Sequence, residues 1–381
     1  MIDLVFCGAG VLFGVAAGLI PGMHINNFLP FFLVTPFTGP LGFFFIISAS
    51  MGFVFSSFFP SILLGVPNEE TAIMVLPGHR MVLEGNAFTA LILSFYGALT
   101  ATLLAGFFLI FFLLFLPALY PHLDFLVSFI LIVVMMLMIA TDNRYAILIV
   151  AMSTALGFLT FNFNLLLPLL TGFFGLSTML ISLLHETSLP EQKLQFRPDI
   201  SKFEFLRASL LASFLSSLAG LLPGVSSSIV ALVGRVFGKL KTQEFIVMIS
   251  GTNAAYMIYS FFALFLITKT RSGSAVFLSQ VMQNENILFA FGIVLVSAIL
   301  AAFICLRLTP YVVSFYRKIN YRKTTITAAV FLVIVNFILC GLFGLLILFA
   351  STSIGLLCCF LHVKRINCMA ALIVPTIIVL I

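Results

Sequence analysis

The sequence has very few charged residues: Asp, Glu, Lys and Arg make up 8% of its 381 residues, against about 25% in an ordinary soluble domain. It lacks tryptophan, while 62% of its residues are hydrophobic and its mean hydropathy is +1.27. These values exclude a soluble enzyme and a nucleic-acid binder, because such apolar runs need lipid as their solvent. Continuous apolar stretches such as residues 125–140 favour membrane helices over the alternating strands of a β-barrel.

Catalytic and metal-binding motifs are also missing from the sequence. The six cysteines form no Cys-x-x-Cys pair, and no histidine stands at metal-ligand spacing from them. There is no His-Glu-x-x-His, no Gly-x-Ser-x-Gly and no pair of intramembrane aspartates. We therefore expect neither an enzyme nor a bound cofactor, apart from a coupling Na⁺ or H⁺.

The chain contains an internal repeat. Residues 18–24 (GLIPGMH) return as residues 220–226 (GLLPGVS), an offset of 202 residues. Residues 153–157 return as residues 351–355 at an offset of 198. Two matches in the same order at nearly the same offset predict a duplication. We expect a first repeat over residues 1–184, a polar linker over 185–207 and a second repeat over 208–381.

The first membrane element of each half has an unusual form. Residues 4–20 and 206–222 predict helices of about 25 Å, too short for a hydrocarbon core of about 30 Å. Each ends in Pro-Gly, which stops helical hydrogen bonding and frees the backbone. A break at membrane depth is tolerated only where it lines a polar cavity. We therefore expect re-entrant hairpins over residues 4–37 and 206–238.

About five transmembrane helices follow each hairpin. If the hairpins return to their starting side, five crossings invert the second half relative to the first. If they instead cross completely, the repeats are parallel and the charge bias is scrambled. With the linker in the cytoplasm, the inverted arrangement places every Lys and Arg inside except Lys269 and Arg271. This predicts an all-α polytopic protein of the cytoplasmic membrane with two inverted repeats and a cytoplasmic linker. Its helices are expected near residues 41–63, 86–116, 124–140, 144–161 and 165–184, and near 243–267, 286–306, 324–341, 342–361 and 366–381.

The two Pro-Gly tips are the candidate substrate site. Paired broken helices in inverted repeats are typical of secondary transporters, whose sites lie near the membrane midplane. The half-helix after each tip offers free N–H groups to an anion. Neutral hydrogen-bonding side chains follow each tip, although they are also typical of simple helix caps. The predicted substrate contacts are Pro21, Gly22, His24, Asn26, Asn27, Pro223, Gly224, Ser226, Ser227 and Ser228.

A second polar cluster lies at residues 65–71 and 76–80. Its two adjacent glutamates and Arg80 indicate a coupling-cation site, a gate or an anion clamp, while a solvated cytoplasmic loop remains an alternative. At the corresponding place in the second half the sequence reads Ser-Gly-Thr-Asn, ending at Asn253. We predict that Asn68 and Asn253 coordinate a coupling cation and that Arg80 lies at the inner mouth.

Three segments resemble a known family. Residues 14–22 (GVAAGLIPG), 67–80 and 220–224 (GLLPG) resemble the large membrane subunit of tripartite tricarboxylate transporters, the TctA family, and particularly a short archaeal-type branch. The resemblance covers most of the chain. It implies a secondary transporter of carboxylate anions driven by a cation gradient, with a small membrane subunit and an extracytoplasmic binding protein as partners. The chain departs from the family pattern at residues 24–27 (HINN), where a Gly-Pro-type continuation is usual.

The second tip supports an alternative. Residues 223–227 (PGVSS) also look like the Pro-Gly-Val-Ser motif of bacterial polyprenyl-phosphate transporters, which move a lipid phosphate. Two transporter hypotheses therefore stand, one with a small carboxylate anion and one with a lipid phosphate as substrate. An intramembrane enzyme and a scaffold that binds no ligand at the tips are two further hypotheses. Our prediction is a secondary transporter of an anionic substrate that has no nucleic-acid partner.

Overall fold

The regular structure in the described part of the chain is all helical, with no strand. The computed structural model describes residues 2–20, 25, 40–66, 72–160, 165–184, 190–220, 227–282, 285–317 and 321–380. The helices of the first half are α1 (Ile2–Gly18), α2 (Pro40–Ser56), α3 (Val75–Leu83), α4 (Ala87–Ala140), α5 (Ala146–Thr160), α6 (Leu166–Leu170) and α7 (Ser177–Leu184). Those of the second half are α8 (Lys202–Ala219), α9 (Ser227–Gly238), α10 (Thr242–Ile267), α11 (Gly273–Val281), α12 (Ile287–Arg317), α13 (Tyr321–Phe360) and α14 (Ala370–Leu380). Two π-helical turns, Pro60–Leu64 and Thr171–Leu176, extend α2 and join α6 to α7.

Five helical stretches in the described part are long and apolar enough to cross a bilayer. They are Pro40–Leu64, Ala87–Phe111, Thr242–Ile267, Ile287–Phe315 and Thr325–Phe360. The stretches Pro40–Leu64 and Thr242–Ile267 are almost entirely buried inside the protein, whereas those on α12 and α13 are mostly exposed to the surroundings. The expectation of an all-α polytopic membrane protein is therefore confirmed, with α2 and α10 at its centre.

Helices α1 and α2 pack closely and run in the same direction. Gly10, Gly14 and Gly18 form a stripe on α1, and each lies against a carbonyl group of α2. A methyl group added at Gly10 or at Gly18 falls 2.8 Å from a carbonyl oxygen of α2, on Phe45 and Phe53 respectively. Small residues four apart let membrane helices approach this closely. Because the contacts advance together along both helices, the two are parallel.

Helices α8 and α10 also pack side by side and run in the same direction, with α9 between them in the sequence. The pairs Lys241–Glu204 (2.7 Å) and Arg207–Glu244 (2.6 Å) join the starts of α8 and α10, so these two helices are also parallel. Helix α9 runs the opposite way. Its last turn places the Arg235 guanidinium 4.7 Å from the Phe245 ring centroid, near the start of α10.

The linker defines one side of the protein, which we call the linker side. The buried side chain of Gln192 accepts a hydrogen bond from the backbone N–H of Ala87 (3.1 Å) and donates one to the carbonyl of Val82 (2.8 Å). Helix α4 therefore begins on the linker side, as do α8 and α10. Helix α8 begins at Lys202, directly after the described non-helical part of the linker, and the N–H of Asp199 donates a hydrogen bond to Gln243 in the first turn of α10 (2.7 Å). The location of this side in the cytoplasm stays a prediction.

The central helices of the two halves point in opposite directions. Phe43, near the start of α2, lies 6.3 Å (ring centroids) from Phe265, at the end of α10. Phe59, after the end of α2, contacts Phe95 of α4. Two residues further along α4, Gly97 lies in close contact with Val247, near the start of α10. Helix α2 therefore runs towards the linker side and α10 away from it.

The two longest helices each make two passes. Helix α4 has 54 residues and spans about 81 Å if straight, yet Thr141 at its end shares a cavity with Arg80 on the linker side, where α4 also starts. Helix α13 is interrupted at Gly341, whose φ of +64° and ψ of −163° are not helical and suit glycine. The sequence predicted two elements in each of these stretches, near 86–116 and 124–140 and near 324–341 and 342–361.

The order of helices in the second half repeats that of the first. Helices α2 and α10 begin 202 residues apart, α3 and α11 begin 198 apart, and α4 and α12 begin 200 apart. Helices α3 and α11 have nine residues each. These spacings equal the sequence offsets of the internal repeat to within two residues.

Candidate functional site

Most of the predicted contact residues lie outside the described part of the chain. The positions for which nothing is described are Pro21, Gly22, His24, Asn26, Asn27, Asn68, Pro223, Gly224 and Ser226. The structure does place Ser227, Ser228, Asn253 and Arg80. The site is therefore built from α9, α10 and α3.

Ser227 is the first residue of α9, and it is buried with 1% of its surface exposed. Its hydroxyl has no hydrogen-bond partner among the described residues. The neighbouring Ser228 is also buried, but it already has a partner within the protein. Because α9 has 12 residues and begins here, the N–H groups of its first turn and the positive end of its dipole lie beside the Ser227 hydroxyl. This end of α9 suits a negatively charged group.

Asn253 lies in the middle of α10 and is exposed to 1%. Neither its amide nitrogen nor its amide oxygen has a partner among the described residues. The polar side chains beside it are satisfied, since Ser250 and Thr252 donate hydrogen bonds of 2.8–3.0 Å to carbonyls of their own helix. A buried amide without partners costs free energy, so Asn253 is a candidate ligand-binding residue.

Ser227 and Asn253 lie at similar depths. Helix α9 is antiparallel to α10, with Gly234 against Met248 and Arg235 against Phe245. Continuing this register towards the start of α9 brings Ser227 beside residues 253–255. Asn253 is 11 residues from the start of α10, about 17 Å along the axis. Half of a hydrocarbon core is about 15 Å, so the two unpaired groups lie about halfway along a membrane-spanning length of α10.

The end of α8 closes this region on the side away from the linker. Gly220 packs against Tyr259 of α10, and the Tyr259 hydroxyl shares a 3.1 Å hydrogen bond with Ser213. Tyr259 stands eight residues, about 12 Å, before the end of α10. Helix α8 therefore ends well inside the length of α10.

The register of the helices relates Asn253 to a position other than Asn68. Helices α2 and α10 begin 202 residues apart, so the equivalent of Asn253 in α2 is Met51, which is fully buried. Asn68 comes after the end of the extended α2 helix at Leu64. If the two asparagines share a cation, they do so from unequal positions in the two halves.

Arg80 lies apart from Ser227 and Asn253, on the linker side. It is exposed and pairs with Glu84 through its Nε atom at 3.0 Å. Its side chain lines a cavity of about 670 Å³ together with the end of α9. The sequence placed Arg80 at the inner mouth without indicating that other basic residues surround it. Those residues come from distant parts of the chain, and their only sequence signals are the i, i+4 pair Arg235 and Lys239 and the adjacent Lys364 and Arg365.

The sequence matches the family described as the tripartite tricarboxylate transporter TctA family over residues 4–370. The chain belongs to this family. It is also 29% identical over 395 aligned positions to an uncharacterized protein from Methanocaldococcus jannaschii, with 99% of each chain covered. No solved structure matches it.

Membership of the TctA family makes the chain a component of a tricarboxylate transporter and an integral membrane protein. As the family name says, such transporters have three parts, so partner subunits are expected in general. The match gives no support to the polyprenyl-phosphate alternative. It also makes an intramembrane enzyme a poor description of the chain, since the family is one of transporters.

Proposed function

We propose that this TctA-family protein is a secondary transporter that moves a multivalent carboxylate through a site at the start of α9, coupled to Na⁺ or H⁺. The observation that carries the proposal is the pair of buried polar groups of Ser227 and Asn253 near mid-membrane depth, which have no partner among the described residues. Polar groups without partners are rare in protein interiors, and within membranes they mark transport pathways.

The substrate and the coupling ion bind to different groups of the protein. A carboxylate fits the N–H groups at the start of α9, where Ser227 adds a hydroxyl donor. A coupling Na⁺ fits the amide oxygen of Asn253, because hard cations prefer oxygen ligands. Binding the two charges side by side neutralises each inside an apolar protein, which makes joint binding more favourable than either alone.

We infer that the path is formed by two inverted repeats with re-entrant hairpins. The parallel pairs α1/α2 and α8/α10 support this, since each requires the chain to return before the next helix starts. The opposite directions of α2 and α10 and the 198–202-residue spacing of helix starts support the inversion. In this arrangement Pro21, Gly22, His24, Asn26 and Asn27 complete the site from the first half, and Asn68 is a further cation ligand.

The second half is also proposed to contact the substrate. Pro223, Gly224, Ser226 and Ser228 surround the same helix start in the sequence and are proposed substrate contacts. We propose that the protein lies in the cytoplasmic membrane with linker 185–207 inside. Its proposed partners are a small membrane subunit and an extracytoplasmic binding protein.

The test is ligand-dependent stabilisation of the purified protein, with citrate as the probe and with Na⁺ or K⁺ as the salt. A ligand that binds the folded state raises its apparent stability in proportion to the logarithm of its concentration. Citrate should raise the melting temperature of the wild type more in Na⁺ than in K⁺. Both Ser227→Ala and Asn253→Ala should remove this difference between Na⁺ and K⁺.

The matched controls are Ser250→Ala and Thr252→Val, which change buried side chains of α10 whose hydroxyls are already bonded to the helix. These variants should keep the citrate shift. Equal citrate shifts in all four variants and the wild type contradict the proposed site. If citrate produces no shift in the wild type, citrate is not a substrate, and the carboxylate assignment fails for it.

A further inference from the structure

A cavity on the linker side gathers five basic side chains. It has a volume of about 670 Å³, within the range of small-molecule sites. The basic residues come from α3, from α9 and the residue directly after it, and from the turn that follows α13. No acidic residue of the described part lines the cavity. The five basic residues are Arg80, Arg235, Lys239, Lys364 and Arg365.

The charge of this basic cavity is poorly compensated within the described residues. Among the ion pairs of that part of the chain, only the one between Arg80 and Glu84 involves a cation of the cavity, and both partners are largely exposed, which makes the pair weak. Arg235 stacks on Phe245, and Lys364 donates to the carbonyl of Thr141 at 2.6 Å. The carboxylate of Asp142 accepts a hydrogen bond from the backbone N–H of Lys364 (2.9 Å) and offsets part of the charge. A concave, partly apolar wall concentrates the positive potential that remains.

Arg365 is held in place by neutral groups as well. Its Nε and Nη2 atoms lie 3.1 and 2.9 Å from the sulfur of Cys359, and its Nη1 atom contacts Thr178. These contacts fix the guanidinium at the wall of the cavity without neutralising it. A preorganised cation of this kind favours a bound anion, because little ordering cost is left to binding.

Helix α9 connects the basic cavity to the proposed transport site. Leu232, Arg235 and Val236 line the cavity at helical spacing, so one face of α9 forms its wall, and Lys239 joins them directly after the helix ends. Ser227 begins the same helix, eight residues and about 12 Å before Arg235. An anion that leaves the start of α9 towards the linker side meets this face.

We propose that the basic cavity is a second anion site, a vestibule that captures or releases a multivalent carboxylate on the linker side. The inference deepens the proposed function and rests on it for the identity of the substrate. The five positive charges select anions with two or more carboxylates over acetate, since each added charge gains from the same field. An anionic phospholipid headgroup carries comparable charge and is the competing source of the same chemistry.

The experiment measures how fast individual lysines react with an amine-reactive ester, followed by mass spectrometry of the purified protein. Lys239 and Lys364 report on the cavity, while Lys193, Lys202 and Lys269 are exposed lysines elsewhere and serve as internal controls. At a citrate concentration about ten times the Kd, labelling of Lys239 and Lys364 should fall to roughly one tenth. The controls should not change, and acetate at equal ionic strength should not protect.

A variant separates this inference from the proposed function. Asn253→Ala should lose the Na⁺-dependent part of the citrate thermal shift, which comes from the transport site, but keep the protection of Lys239 and Lys364. If the wild type shows protection of these lysines but no sodium-dependent thermal shift, the vestibule stands and only the transport site is refuted.

Two results overturn the proposal. In the first, Lys239 and Lys364 react with the ester as fast in citrate as in acetate, although citrate still raises the melting temperature of the wild type. The other is protection by short-chain phosphatidylglycerol at concentrations where citrate gives none, which assigns the cavity to a lipid headgroup.

Discussion

Replacing Asn253 by leucine should make the ligand-free protein more stable. The side chains have the same number of heavy atoms, so the change mainly removes two buried amide atoms that have no partner among the described residues. An unsatisfied buried polar group costs about 1–3 kcal/mol, and an apolar replacement of the same shape recovers part of it. We expect Asn253→Leu to raise the free energy of unfolding by about 1–3 kcal/mol in K⁺ without citrate.

The neighbouring Thr252→Val should act in the opposite direction. The Thr252 hydroxyl donates to the carbonyls of Met248 and Ile249 at 3.0 and 2.8 Å, so its loss removes satisfied bonds. The expected cost is about 0.5–1.5 kcal/mol. The assay is denaturant unfolding in mild detergent with each variant measured beside the wild type.

Ligand should reverse the order of stability at position 253. At 100 times the Kd, a ligand adds about 2.7 kcal/mol to a protein that binds it. The wild type gains this amount from the transport site with citrate and Na⁺, while Asn253→Leu loses this Na⁺-dependent contribution. If Asn253→Leu destabilises the ligand-free protein as much as Thr252→Val does, the amide has partners in the fold and the site argument is refuted.

Three further substitutions test the fold. Gly14→Val should destabilise the protein by about 1–3 kcal/mol because the added carbons meet the α2 backbone, while Gly8→Val, with open space around it, should not; equal melting temperatures contradict the α1/α2 packing. Gln192→Ala should cost about 1–3 kcal/mol by stranding two backbone groups, unlike Lys193→Ala, and equal losses in denaturant unfolding refute that role. Glu204, whose pKa is lowered to about 2 by its hydrogen bonds from a lysine and a helix cap, contributes stability above its ordinary pKa of 4.5 that is lost as the pH falls towards 2. The variant Glu204→Gln should flatten the melting-temperature profile over that range, and an unchanged profile contradicts it.

Apolar periodicity and Pro-Gly signals predict only some of the helix boundaries in this chain. The predicted boundary between residues 341 and 342 is confirmed by the non-helical conformation of Gly341. Helical structure continues through the predicted gap between residues 116 and 124, although α4 starts and ends on the linker side and therefore makes two passes. Proline removes only one backbone donor, and a membrane helix can continue past it when other groups satisfy the freed carbonyl.

The candidate site was only partly predictable. Ser227 was found because it follows a Pro-Gly break, and Asn253 because it is a polar residue in an apolar run. Their lack of partners among the described residues, and their shared depth, depend on the antiparallel register of α9 and α10, which no local pattern encodes. The basic cavity was missed for the same reason, since Arg80, Arg235 and Lys364 are far apart in the sequence.

The most direct test of the central claim is citrate uptake into proteoliposomes containing the purified protein, driven by an imposed Na⁺ gradient. We expect gradient-dependent uptake by the wild type and by Thr252→Val, and none by Ser227→Ala or Asn253→Ala. Uptake by the Ser227 and Asn253 variants at the wild-type rate contradicts the claim that the start of α9 is the transport site.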